Sequence, residues 1–173
     1  MLADEKTQQK GFSMLVSQYS EPLYRQIRRI VLTHDDANDV LQNTFIKAWQ
    51  GLSSFEGRSK LSSWLYRIAQ NESLDYVRRK KQQYSLSDED GEGISVAERL
   101  MADEYFDGDE TAAQLQEAIN KLPEVQRHVF QLKYFEEMKY SEISEILGTS
   151  EGALKASYHI AVKKISEYFN NID

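Results

Sequence analysis

The amino-acid sequence predicts an all-α protein with two small helical domains joined by an acidic linker. Apolar residues recur at helical spacing through most of the chain, and no segment alternates with period two for long enough to predict a sheet. The 173 residues include only 8 Gly and 2 Pro, so few positions interrupt a helix. The helical pattern is lost over residues 83–112, where acidic residues dominate. We therefore predict a four-helix bundle over residues 1–82, a flexible linker, and a second helical domain over residues 113–173.

The bundle is predicted to begin with two short helices, followed by a strongly amphipathic third helix. Ser20 and Pro22 are expected to break and restart the chain, because Pro suits a first helical turn. Thr33 or one of the Asp residues that follow it can cap the third helix, which buries an apolar stripe over residues 37–48. The opposite side of this helix carries acids, amides and one isoleucine, namely Asp35, Asp39, Gln42, Asn43 and Ile46. An apolar residue among polar ones is typical of a protein-binding face, although a scattered apolar residue is also normal on a solvated surface.

The fourth helix lies within residues 59–81 and has two chemically distinct sides. One side is mostly apolar and includes Trp64 and Ile68. The other side carries Lys60, Arg67, Asn71, Leu74 and Arg78, with Arg79 near its end. Cations and an amide opposite a buried aromatic face suit the phosphate backbone of a nucleic acid. The alternative is a solvated face whose cations complement the helix dipole, and this stretch alone does not decide between the two.

Charge is distributed unevenly along the chain, whose net charge is −7. Residues 1–82 carry 13 Lys and Arg against 9 Asp and Glu, residues 83–113 carry 1 against 10, and residues 114–173 carry 7 against 9. The acidity is therefore concentrated in the middle, and the N-terminal domain is basic enough to contact nucleic acid. Within the acidic segment, residues 94–101 are predicted to form one short helix.

The C-terminal domain has the pattern of a helix-turn-helix. Ser141 opens a short helix that Gly148 ends as a C-cap, and Ser150 caps a longer second helix. Two helices joined by a few residues that include Gly fit this motif. The exposed side of the longer helix carries small and cationic residues that suit a major groove, namely Gly152, Lys155, Ala156, His159 and Lys163, with Ser157 as a neighbouring candidate. A plain helical hairpin within a core is the alternative.

Composition argues against several other classes of protein. The chain has no cysteine, which excludes disulfides, thiolate metal sites and cysteine nucleophiles. His34, His128 and His159 lie far apart without metal-ligand spacing, and no phosphate-binding Gly loop is present, so we expect no enzyme activity, metal or cofactor. The start of the chain lacks the apolar core of a signal peptide, and no run of residues could span a bilayer. We therefore expect a cytoplasmic protein.

Five segments of the chain resemble the sigma factors of bacterial RNA polymerase, in particular the extracytoplasmic-function (ECF) group. The N-terminal domain contributes D-A-N-D-V-L-Q-N-T-F-I-K-A-W (36–49), W-L-Y-R-I-A-Q-N (64–71) and D-Y-V-R-R (75–79). The C-terminal domain contributes L-P-E-V-Q-R (122–127) and Y-S-E-I-S-E-I-L-G-T-S-E-G-A-L-K (140–155). In this order and spacing, with an acidic segment between the domains, the resemblance is specific, and it covers nearly the whole chain outside the linker.

The resemblance implies a role for each predicted face. The helix that carries Asp39 and Ile46 is similar to the one that binds the β′ clamp helices of core RNA polymerase. The stretch over residues 55–79 resembles the part that opens and reads the −10 promoter element, in which an Asn at the position of Asn71 helps to hold an unstacked base. The C-terminal domain resembles the −35 reader, which also docks on the β flap. Promoter DNA and core polymerase are thus the implied partners, an anti-sigma factor is a further candidate, and catalysis would belong to the polymerase.

The sequence departs from the family pattern at two places, and it leaves two rival functions open. Asn43 stands where Glu is common, and Ala156 and Ser157 follow Lys155 where Ser-Arg is frequent, which leaves the −35 sequence preference open. A two-domain helix-turn-helix regulator would bind duplex DNA without polymerase. An acidic interaction or adaptor protein of the transcription machinery would instead depend on the acidic middle segment.

Overall fold

Every regular element in residues 2–86 and 95–172, the residues that the computed structural model describes, is helical. The chain divides into two compact units, Met1–Gln83 and Tyr84–Asp173. These findings confirm the prediction of an all-α protein with two small helical domains. Part of the predicted linker, residues 87–94, lies outside the described residues.

Three long helices make up most of the N-terminal unit. They are α1 (Leu2–Val31), α2 (His34–Gly51) and α3 (Leu61–Leu86), and a 3-10 turn at Leu52–Ser54 follows α2. As predicted, Thr33 caps α2, since its hydroxyl accepts a 3.3 Å hydrogen bond from the Asp36 N–H. This cap sets the start of the helix that carries the candidate protein-binding face.

The structure differs from the predicted break at Ser20 and Pro22, because α1 passes through both residues as one helix of 30 residues. In the described residues the bundle therefore has three long helices where four were predicted. Pro22 removes a backbone donor and crowds the preceding turn, in which the Ser20 hydroxyl donates to the Val16 carbonyl at 2.5 Å. Leu23 and Ile27, which follow directly, are completely buried, and their burial offsets the cost of the proline.

The N-terminal core lies where α1, α2 and α3 meet. Its buried apolar residues come from all three helices, namely Leu15, Leu23, Ile27, Val31, Ala37, Val40, Ala48, Leu65 and Ala69. Gln26 of α1 is also buried, and its amide donates to the Gln70 side-chain oxygen of α3 at 3.1 Å. Because buried amides need partners, this bond favours one alignment of α1 against α3.

Five helices and one π-helical turn make up the described part of the C-terminal unit. The helices are α4 (Val96–Ala102), α5 (Glu110–Asn120), α6 (Glu124–Phe130), α7 (Tyr140–Leu147) and α8 (Glu151–Asn171), and the π-helical turn, Gln131–Phe135, continues α6. The short helix predicted within the acidic segment is confirmed as α4, although its expected first residue, Ile94, lies outside the described residues. Ser95 and Glu98 form a capping box at the start of α4, which packs against α5.

The predicted helix-turn-helix is formed by α7 and α8. Gly148 ends α7 in the left-handed conformation, with φ of 67°, as expected of a glycine C-cap. The Ser150 hydroxyl accepts a 3.3 Å hydrogen bond from the Ala153 N–H and so caps α8. Leu154 is completely buried, and the rest of the predicted stripe along α8, as far as Phe169, is buried or half-buried. The opposite side of α8 is left exposed.

Candidate nucleic-acid interface

The residues predicted to face nucleic acid lie along α3 and immediately before it. Lys60, Asn71, Arg78 and Arg79 are exposed, and Arg67 is half-buried. Asp75 organises the two arginines, since its carboxylate lies 3.8 Å from Arg78 Nη1 and its backbone carbonyl accepts from Arg79 Nε at 3.4 Å. An exposed ion pair such as that of Asp75 with Arg78 contributes at most about 1 kcal/mol, so a phosphate could displace the carboxylate at little cost.

A groove of about 550 Å³, here called the Asn71 groove, opens between the end of α2 and α3. The side chains of Trp64 and Ile68 form the apolar wall of this groove, and Asn71 adds a side-chain amide. Phe55 supports the Trp64 ring from the preceding loop, at 5.0 Å between ring centroids. A Cβ at Gly51 would lie 3.2 Å from the Trp64 ring, so glycine allows this close approach. An aromatic wall beside an amide can both stack on a planar base and hydrogen-bond to its edge.

A second groove of about 570 Å³, here called the Ile46 groove, lies between α2 and the later part of α3. Asn43 and Ile46 line it from α2, and Arg78 and Arg79 line it from α3. The sequence placed these residues on two separate faces with two different partners. The structure brings them together along one groove, because α2 and α3 lie side by side.

An ion pair between Lys47 and Glu72 lies on the border of both grooves, and it was missed by the sequence reasoning. The Glu72 side chain is 7% exposed, whereas that of Lys47 is 57% exposed. A carboxylate buried to this extent requires its partner, because an uncompensated buried charge is strongly destabilising. Glu72 follows Asn71 directly, so the pair holds that turn of α3 against α2.

The outer face of α2 is exposed, as its amphipathic pattern predicted. Asp35, Asp39, Gln42 and Asn43 are exposed, and 54% of the Ile46 surface is accessible. Trp49 lies one turn beyond Ile46, is 42% exposed, and packs edge-on against Phe12 at 5.0 Å between ring centroids. Ile46 and Trp49 together form the exposed apolar part of this face.

The candidate residues on α8 are arranged on its exposed side, with one exception. Gly152, Lys155, Ala156, His159 and Lys163 are all exposed, whereas Ser157 is half-buried and lies at the margin of this side. Small residues and cations thus alternate along a helix that follows a tight glycine turn. The arrangement has the shape and the charge needed to enter a DNA groove.

Aromatic rings support α8 from beneath, and one of them, Tyr158, belongs to the predicted buried stripe of this helix. Tyr158 stacks on Phe130 at 5.9 Å between centroids and meets the Tyr140 ring edge-on at 6.4 Å. Burial raises the pKa of the Tyr158 hydroxyl, and the neighbouring Tyr140 and Tyr134 act in the same direction. Tyr158 therefore stays neutral and serves as part of the support for α8.

Other kinds of site were also sought in the described residues. No group of three or more His, Asp or Glu side chains there is arranged to hold a metal ion. A helix with the length and hydropathy of a membrane span is likewise absent from residues 2–86 and 95–172.

Comparisons with known proteins identify two family regions in this sequence. Residues 15–83 match the model of sigma-70 region 2, and residues 112–165 match that of sigma-70 region 4. The chain is 35% identical over 162 residues to the ECF RNA polymerase sigma factor SigW of Bacillus subtilis, with 90% of this chain and 87% of that protein covered. It is 32% identical to the RNA polymerase sigma factor YlaC of the same organism, with 82% and 86% covered.

Solved structures share the fold. The sigma factor RpoE, in its complex with the anti-sigma factor NepR from Bartonella quintana, superposes with a TM-score of 0.76 at 24% identity, covering 95% of this chain and 99% of that one. CnrH, in its complex with the cytosolic domain of CnrY, gives a TM-score of 0.71 at 23% identity, covering 95% and 91%.

Proposed function

Because this chain belongs to the ECF family of RNA polymerase sigma factors, we propose that its two units divide promoter recognition between them. The protein directs promoter-specific transcription initiation together with core RNA polymerase. The N-terminal unit binds the polymerase and reads the −10 element, and the C-terminal unit reads the −35 element. RNA synthesis is catalysed by the polymerase, so we assign no enzyme activity to this chain. We place its action in the cytoplasm, where the polymerase transcribes.

The Asn71 groove is the observation that carries the −10 assignment. Taking a base out of the DNA stack costs a few kcal/mol, which a protein must offset. Stacking on an aromatic side chain such as Trp64 contributes about 1–3 kcal/mol per base, and the Asn71 amide offers two donors and an acceptor to the base edge. Arg78 also borders the groove and can neutralise a neighbouring phosphate. The groove therefore supplies the three contacts that a captured nucleotide needs.

The outer face of α2 is assigned to the polymerase. Its exposed Ile46 provides an apolar anchor, and the surrounding acids and amides provide a polar rim, which is the usual composition of a protein interface. The Ile46 groove then places Arg78 and Arg79 next to the bound polymerase. DNA held by these arginines would lie directly beside the clamp. An anti-sigma factor that covered this face would block polymerase binding.

The exposed side of α8 is assigned to duplex DNA. Gly152 and Ala156 lack bulky side chains, so the helix can approach base edges closely. Lys155 and Lys163 can contact phosphates on either side of the groove. His159 lies between them and can donate to a base or to a phosphate. Ser157 is half-buried, so it is the least accessible to DNA of the predicted residues.

Reconstituted transcription tests the proposed function. Core polymerase, the full-length chain and genomic fragments would be combined, and RNA start sites mapped by sequencing. We expect a defined set of start sites that requires both proteins. Identical start sites with core polymerase alone would contradict the proposal. A helix-turn-helix regulator would bind duplex fragments without polymerase, and an adaptor would lose its activity when the acidic segment is replaced by a neutral one of equal length.

A further inference from the structure

Asn71 lies in the sequence between two buried polar residues, each of which contacts a different neighbouring helix. The Gln70 side-chain oxygen accepts a 3.1 Å hydrogen bond from the Gln26 amide of α1. The Glu72 carboxylate forms its ion pair with Lys47 of α2. These contacts, here called the α1 tie (Gln26 with Gln70) and the α2 tie (Lys47 with Glu72), hold from both sides the turn of α3 that carries the exposed Asn71.

Helix geometry makes the two ties act on opposite flanks of α3. Successive side chains are separated by about 100° around a helix axis, so Gln70 and Glu72 point to the two flanks and Asn71 points between them. A rotation of α3 about its axis would pull either Gln70 away from α1 or Glu72 away from α2. Breaking a tie would leave a buried amide or a buried carboxylate without its partner, which is destabilising. The two ties together therefore fix the rotation of α3 at Asn71.

The rotation of α3 determines where the Asn71 amide lies in the Asn71 groove. A helix with its side chains has a radius of up to about 6 Å, so a rotation of about 20° would move the amide by roughly 2 Å. Hydrogen bonds of the N–H···O type span only about 2.7–3.2 Å between heavy atoms. A shift of that size would therefore break a hydrogen bond to a base edge. A fixed orientation also reduces the conformational entropy that is lost when the base binds.

Gln26 is the anchoring residue that can be separated most clearly from DNA binding. It is 4% exposed, and it lines neither the Asn71 groove nor the Ile46 groove. Its amide also donates to the Tyr66 carbonyl of α3 at 3.2 Å. Because a residue buried in this way has no surface to offer a nucleic acid, any effect that it has on promoter recognition must pass through α3.

We propose that the α1 tie and the α2 tie position Asn71 so that its amide can read a captured −10 base. The positioning residues are Gln26, Gln70, Lys47 and Glu72. The inference rests on the proposed base-reading role of Asn71. It adds residues of α1 and of the buried side of α3 to −10 specificity, which the sequence analysis assigned to exposed residues alone.

The test measures base discrimination by the holoenzyme, formed from core polymerase and the full chain. Affinity for a pre-melted promoter template is compared between the preferred base and the other bases at each −10 position. Gln26→Leu combined with Gln70→Leu replaces both amides by apolar side chains of similar size, so the melting temperature should change little. Discrimination at one position should nevertheless fall by about fivefold or more, the lower end of what a base-specific contact contributes. The salt dependence of binding should stay unchanged, because no phosphate contact is removed.

A double-mutant cycle with Asn71→Ala shows whether this loss acts through Asn71. In the Asn71→Ala background the two leucines should cause no further loss of discrimination, because the side chain that they misplace is absent. Lys47→Leu combined with Glu72→Leu removes the α2 tie and should behave in the same way. A loss that persists in the Asn71→Ala background would show a direct DNA contact of Lys47, and it would overturn the positioning role of the α2 tie.

Ser73→Ala provides a matched control within α3. Ser73 is completely buried, and its hydroxyl donates to the Ala69 carbonyl of the same helix at 2.7 Å. The change removes a buried hydrogen bond close to Asn71 but leaves both ties intact, so discrimination should be unchanged. This control separates the loss of a contact between helices from a general disturbance of the core.

The outcomes distinguish this inference from the proposed function. If Asn71→Ala lowers discrimination and neither leucine pair does so more than Ser73→Ala, the positioning role is overturned and the −10 assignment stands. If Asn71→Ala has no effect, the −10 assignment fails, and the positioning role fails with it. Circular dichroism checks the fold of each variant. Should Gln26→Leu with Gln70→Leu unfold the N-terminal unit, Lys47→Leu with Glu72→Leu still decides through the same cycle.

Discussion

Lys80 of α3 donates a 2.5 Å hydrogen bond to the Asp36 carboxylate in the first turn of α2. Tyr76, one turn earlier in α3, donates to the other oxygen of the same carboxylate. Burial by itself would raise the pKa of Asp36, but the hydrogen bonds from Lys80, Tyr76 and Thr33 and the charge of Lys80 outweigh it and lower the pKa. The start of the candidate polymerase-binding helix is thus anchored to the candidate DNA-binding helix.

Asp36→Asn should destabilise the N-terminal unit by about 1–3 kcal/mol at neutral pH, because a charge-assisted hydrogen bond is lost. The Asp36 side chain is 15% exposed and that of Lys80 is 34% exposed, so solvent screens the pair only in part. Since the folded pKa is lowered, this stabilisation is fully present above the unfolded pKa of about 3.9 and is lost as the pH falls through the folded pKa. The difference between wild type and variant should therefore shrink in acid.

Urea unfolding followed by tryptophan fluorescence measures this difference. The two tryptophans of the chain, Trp49 and Trp64, both lie in the N-terminal unit, so the signal reports that unit alone. Asp35→Asn, a change at the exposed neighbouring position, should have little effect at any pH. A loss from Asp36→Asn that is equally large at pH 7 and at about pH 3 would show that the carboxylate charge is not the cause.

Ile46→Asp should leave the fold nearly intact and weaken polymerase binding by about 2 kcal/mol or more, because it places a charge in an interface anchored by an apolar residue. Competition binding to core polymerase measures the loss. Met14→Asp is the matched control, since Met14 is 66% exposed on α1 and receives the same kind of change. Equal binding by the two folded variants would mean that the outer face of α2 is only a solvated surface.

Asn71→Ala should leave the affinity of the closed complex and the salt dependence of that affinity almost unchanged. It should impair strand opening and reduce the discrimination between bases at one −10 position by about 1–3 kcal/mol. Asn71 is exposed, and within the described residues its side chain makes no hydrogen bond to another side chain or to the backbone. A structural brace would need such a bond, so the variant should keep the wild-type melting temperature. Permanganate footprinting on duplex and pre-melted templates measures the opening defect.

Arg67→Ala provides the contrast for Asn71→Ala. It removes a sequence-independent cation, so binding should weaken on all promoters and the salt slope should become shallower. If Asn71→Ala instead lowers the melting temperature, and its transcription defect disappears once stability is restored by other substitutions, Asn71 braces the bundle and the base-capture role is lost.

The free protein should bind duplex DNA poorly, because its net charge of −7 provides no long-range attraction to phosphate. Core polymerase should convert this weak binding into tight, specific binding. Fluorescence anisotropy with a labelled promoter duplex, with and without core polymerase, measures both states. Nanomolar binding of the full-length chain alone at physiological salt would favour the independent regulator over the sigma factor.

The features that the sequence predicted correctly depend on short-range physics. The apolar stripes of α2 and α8, the Thr33 and Ser150 caps and the Gly148 C-cap each follow from residues within a few positions of one another. The exposure of Ile46, Lys155 and their neighbours followed from the same helical periodicity. These patterns were enough to establish the fold class and most of the candidate faces.

The tertiary structure decided what depends on contacts between distant residues. Pro22 remains inside α1 because burial of Leu23 and Ile27 outweighs a local preference that the sequence alone favoured. The Ile46 groove exists because α2 and α3 lie side by side. Helical periodicity determines which side of a helix is apolar. It carries no information about which other helix that side will pack against, and the candidate sites are formed by those contacts between helices.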